Sequence, residues 1–139
     1  MYCKTVTYLK TLAVAGFAVS LFAVPAFGHH SFAMFDQTQT LNVSGTVTEL
    51  AWINPHTWLH IEVTDADGNV VTWSFEASSV GRLAASGWSP DMVVAGDRVE
   101  VGFSPLRDGT PGGHLRTLVL PDGTELCNGA ECREALGVD

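Results

Sequence analysis

The stretch Trp52–Glu76, WINPHTWLHIEVTDADGNVVTWSFE, limits the fold more than any other part of the chain. Thr57, Leu59, Ile61 and Val63 alternate with His56, Trp58, His60 and Glu62, and Val71, Trp73 and Phe75 alternate with Thr72, Ser74 and Glu76. A period of two marks a half-buried strand, because successive side chains leave opposite faces. Asp67-Gly68, inside Asp65–Asn69, supplies a residue that tolerates positive φ between the two runs. The stretch therefore predicts an antiparallel hairpin. One face serves a core, and the other carries two histidines and an indole.

The rest of the chain supplies what such a hairpin needs to pair with. Leu41–Leu50 predicts a preceding strand with Val43, Gly45 and Val47 on one side, Gly45 marking a bulge or bend. Asn54-Pro55 marks the connection to the hairpin, since proline lacks a donor and restricts its predecessor. Ala77–Ser86 changes to helical spacing through Val80, Leu83 and Ala84, with Ser78 or Ser79 as cap and Gly87 as stop. Trp88–Val94 reads as a connector. Arg98–Phe103 and His114–Leu120 predict two further strands, separated by a Pro- and Gly-rich loop over Ser104–Gly113. The order strand, strand, strand, helix, strand, strand predicts a mostly β fold. Its specific form is a small five-stranded antiparallel barrel of the oligonucleotide/oligosaccharide-binding type, with one helix between strands 3 and 4. That type name says nothing about function.

The amino terminus predicts export. Lys4 and Lys10 precede an apolar run over Leu12–Phe22, and Pro25-Ala26-Phe27-Gly28 follows. This is the order of a secretory signal peptide, and the run is short for a retained membrane helix. Cleavage after Gly28 leaves His29 as the first residue, with one domain over 29–139; cleavage after Ala26 leaves Phe27-Gly28-His29. The exported chain would be periplasmic or secreted. It keeps five arginines against fifteen carboxylates, a formal charge of −10. That balance argues against nucleic acid or anionic lipid as a partner and suits a chain that collects cations. Cys127 and Cys132 are its two cysteines, and in an oxidising compartment a disulfide pinning the tail is the first expectation.

All five histidines, His29, His30, His56, His60 and His114, follow the apolar run. Imidazole suits copper, zinc and nickel. A free His29 would offer its α-amine and a ring nitrogen to one ion, and one further histidine completes a copper-binding histidine brace. His60 or His114 is the expected partner, with zinc as substitute metal. His56 and His60 stand about 13 Å apart on a straight strand, so one ion should not take both. His56 after Pro55 reads equally as a ring that fixes the turn. Met34 offers a thioether to copper(I), though packing with Phe32 and Phe35 is the simpler use. A second reading gives Trp58 and His56 a ligand groove for a metal-independent partner, such as a periplasmic protein. Asp65 and Asp67 lack the spacing of a calcium loop. Glu62 and Glu76 read as solvated. No nucleophile elbow, phosphate loop, dinucleotide fingerprint or zinc-peptidase motif is present. The sequence points to binding rather than catalysis.

Taken together, His29–Phe32, Gly45–Val47, Asn54–His56, Asp65–Gly68, Trp73–Glu76, Gly87–Trp88 and Gly96–Asp97 resemble a family of small exported bacterial proteins of unknown function. The resemblance spans nearly all of the exported region and leaves out the cysteine-bearing tail. Family precursors often carry Ala-x-Ala before the paired histidines, where this chain has Ala26-Phe27-Gly28. It implies export and the small β architecture, and it assigns no activity.

Overall fold

The alternating runs form strands that wrap into a closed barrel. A computed structural model describes residues 32–129. The strands are β1 (Leu41–Ala51), β2 (Trp58–Thr64), β3 (Val70–Glu76), β4 (Arg98–Pro105), β5 (Gly112–Val119) and β6 (Glu125–Cys127), and the helix is α1 (Val80–Ala85). The sheet runs β3-β2-β1-β4-β5-β6, and a further pairing of β3 with β5 closes five strands into the barrel, with α1 between β3 and β4. The fold class is the expected one with one correction. The closing seam is parallel, pairing Ser74, Phe75 and Glu76 with Gly112, Gly113 and His114, so the barrel is mixed.

The inward positions of β1 to β4 are the predicted ones, and β5 adds Leu115 and Leu118. Val47, Leu59, Ile61, Phe75, Val99, Val101, Phe103, Leu115 and Leu118 form the buried core, joined by Leu83 of α1. Each such side chain stabilises the fold by about 1.5–3 kcal/mol through burial. Trp73, expected in the core, packs against it while half-buried, its ring 5.7 Å from that of Phe103. The irregularity in β1 lies between Val47 and Glu49, two residues past Gly45, and it turns Leu50 back toward Leu59. Gly45 instead allows close approach, since a Cβ there would meet the Glu62 carbonyl oxygen at 2.6 Å.

Local structure departs from the sequence reading at α1, at the start of β5 and at Trp88. α1 is shorter than Ala77–Ser86, and neither Ser78 nor Ser79 caps it by side chain. Asn54 Oδ1 accepts the Val80 N–H at 3.3 Å instead, so the cap comes from the β1–β2 connection. β5 starts two residues before His114, because Gly112 and Gly113 lie against the carbonyls of Ser74 and Ser104 where no side chain fits. Trp88, read as part of a connector, is buried and donates Nε1–H to the Cys127 carbonyl at 2.8 Å. The residues before β1 are also held. Phe35 is buried and bridges Leu106, the Asp36 N–H donates to the Pro105 carbonyl, and Arg107 N–H donates to the Met34 carbonyl.

Candidate functional site

Register gathers chemistry at one end of the barrel. Trp58 pairs with Glu76 across β2–β3, and Glu76 pairs with His114 across β3–β5. The three residues form a row on the outer face, the side opposite Leu59 and Phe75. His56, just before β2, reaches this row: its Nδ1 lies 2.9 Å from Glu76 Oε1. Glu76, read from sequence as solvated, is 5% exposed. Alternation places it correctly on the outer face, but β5 and His56 cover it there. A buried carboxylate requires a partner of this kind.

His114 completes the cluster. Phe32 meets its ring edge-on at 5.1 Å and Phe35 lies tilted over it at 5.5 Å. Burial first, then the Arg116 guanidinium and the nearby His56 ring, push its pKa down to about 4. The ring is therefore neutral at physiological pH. Arg116 is itself tied down, with Nε donating to Ser104 Oγ at 2.8 Å and Nη2 to Gln37 Oε1 at 2.9 Å. His114 Nδ1 is buried with no hydrogen-bond partner among the described residues.

His60 stands one row away. Its Nδ1 is 2.8 Å from Ser74 Oγ, and its ring lies nearly parallel to Trp58 with centroids 6.4 Å apart. His60 is thus held by Ser74, whereas His56 is held by Glu76. Trp58 is half-buried, so the indole predicted to floor a groove keeps an accessible face. Met34 is 47% exposed and does not pack as a core residue. Asp65 spends its carboxylate inside the hairpin turn, accepting from the N–H groups of Asp67 and Asn69 and from Asn69 Nδ2. Those hydrogen bonds, the Asn69 side chain foremost, lower its pKa and account for it without calcium.

Among the described residues, no group of three or more His, Cys, Asp or Glu side chains is arranged to hold a metal ion. His29, His30 and Cys132 lie outside the described residues. Also among the described residues, no helix is long and apolar enough to cross a membrane.

A family of unknown function (DUF6152) matches residues 18–115. The chain belongs to this family. The DUF6152 match takes in all five histidines and stops before Cys127. No curated protein and no solved structure gives a significant match to the chain. The residues behind the resemblance noted from sequence have distinct duties in the fold. Asn54 caps α1, His56 and Glu76 pair with each other, and Gly87 and Gly96 take positive φ at 91° and 98°. Asp97 Oδ2 accepts the Val94 N–H in the turn before β4. Most of these duties are architectural. The His56–Glu76 pair beside His114 is the part with chemistry to spare.

Proposed function

We propose that this protein binds copper in the bacterial cell envelope, through a mature amino terminus at His29 and a histidine of the barrel end. The observation that carries the reading is the His56–Glu76 pair. A carboxylate that accepts from Nδ1–H fixes the ring, the arrangement that orients metal-bound histidines. The α-amine and ring of His29 with His56 Nε2 would supply three nitrogens to copper, with zinc as the substitute. This reading prefers His56 to His60 as the barrel ligand, because His60 sits one row away on Ser74.

The reading includes removal of residues 1–28 and a Cys127–Cys132 disulfide in the exported chain. Cys127 is buried at the end of β6, where a bridge would fasten the tail to the barrel. Binding or delivery of copper requires no catalytic machinery, and the reading stops at binding. Its test is a competition titration of natively processed protein with copper, beside the His56→Gln variant. Sub-micromolar binding is expected, weakened at least tenfold by the substitution. No binding tighter than micromolar in the native form would discard it.

One observation favours a second reading, a metal-independent docking face. Trp58 and His60 lie parallel on the outer surface of β2, and barrels of this architecture often bind partners on that face. Binding of a periplasmic protein that survives chelator and is lost in Trp58→Ala would support it.

A further inference from the structure

Asn128 follows β6, and its side-chain amide makes contacts on both sides. Oδ1 accepts the Ser78 N–H at 2.8 Å, and Nδ2 donates to the Leu115 carbonyl at 2.7 Å. Its backbone N–H donates to the Arg116 carbonyl at 2.9 Å. These bonds allow one amide orientation. Rotating it by half a turn would set an amino group against the Ser78 N–H and an oxygen against the Leu115 carbonyl. In the allowed orientation Nδ2 also faces His114 Nε2 at 3.4 Å. A donor therefore confronts that nitrogen, and an N–H on Nε2 would be repelled.

A neutral imidazole carries one proton, and the nitrogen opposite a donor is the one without it. Burial, Arg116 and His56 keep the His114 ring neutral. Its proton therefore belongs on Nδ1, the buried atom that has no acceptor among the described residues. We infer that Asn128 is a positioning residue that locks His114 as the Nδ1–H tautomer, with the Nε2 lone pair turned to the Asn128 amide and the proton on the buried Nδ1. The inference goes beyond the copper reading and stands independently of it, since it concerns the metal-free protein. It also explains why two neighbouring histidines have different parts. Glu76 holds His56 through Nδ1, whereas Asn128 meets His114 at Nε2.

The test is a long-range proton–nitrogen NMR spectrum of the imidazole rings in metal-free, natively processed protein between pH 6 and 8. His114 should appear as a single neutral tautomer protonated on Nδ1. In Asn128→Asp an oxygen replaces the donor, and the proton should move to Nε2. In Asn128→Ala the contact is lost, and the ring should show a mixture of both tautomers. A wild-type ring protonated on Nε2 would overturn the inference. So would an unchanged Nδ1–H tautomer in either variant when its backbone spectrum is that of the folded protein. If neither variant folds, the wild-type spectrum alone decides. Failure to bind copper would leave these spectra unaltered, and a wrong tautomer would leave copper affinity at His29 and His56 unaffected, so the two readings fail separately.

Discussion

Thr57 is fully buried, and its hydroxyl has no partner among the described residues, although its backbone N–H and carbonyl pair with Ser78 and Ala77. A buried polar atom without a partner lowers stability, and an isosteric methyl removes that cost. Thr57→Val should therefore stabilise the fold by about 1 kcal/mol, read as a higher denaturation midpoint with unchanged slope. Glu76 behaves oppositely. Glu76→Ala leaves His56 Nδ1 without its acceptor and should cost about 1–3 kcal/mol, measured the same way. His114 gives a pH prediction. Its folded pKa of about 4 lies below the ordinary 6.5, so the unfolded chain binds the extra proton. Stability should be full above pH 6.5 and fall as pH drops toward 4, by about 1–2 kcal/mol after allowance for solvent screening. His114→Phe, which keeps an aromatic ring against Phe32 and Phe35, should flatten that slope. The Glu76 pairing was not legible in sequence. Alternation reports which face a residue takes, not that a strand 36 residues later in the chain will cover it, as β5 does at His114.

The elements divide by whether local pattern determines them. The β2–β3 hairpin was legible because alternation, Asp-Gly and the spacing of the two runs agree, and its register pairs Leu59 with Phe75 and Ile61 with Trp73. The parallel seam between β3 and β5 was not, because no turn joins these strands and no periodicity names a partner. The cap of α1 was missed for the same reason: Asn54 reaches Val80 across 26 residues, whereas a local rule looks to Ser78 or Ser79. The seam depends on glycine. A Cβ at Gly113 would collide with the Ser104 carbonyl and the Phe103 ring, both rigidly placed. Gly113→Ala should therefore cost about 3 kcal/mol or more, checked by denaturant titration, and should expose Trp73 to quenchers as the seam loosens. Gly68→Ala, at a turn with nothing nearby, pays for positive φ alone and should cost about 1 kcal/mol.

At the scale of the whole molecule, a small barrel presents one end where Trp58, Glu76, His114 and His56 meet, and the segment beginning at Phe32 packs there on His114. The sequence made the barrel and the histidine content legible. Which histidine joins which was hidden, because that follows from strand order. The central claim is that a free His29 amine and this barrel end bind copper together. The most direct measurement is copper titration of natively processed protein beside the same protein carrying one extra residue before His29. The extension keeps every side chain and moves the amine, so affinity should fall by orders of magnitude, while zinc and copper should compete for the native form. Equal copper affinity in the two forms would contradict the account.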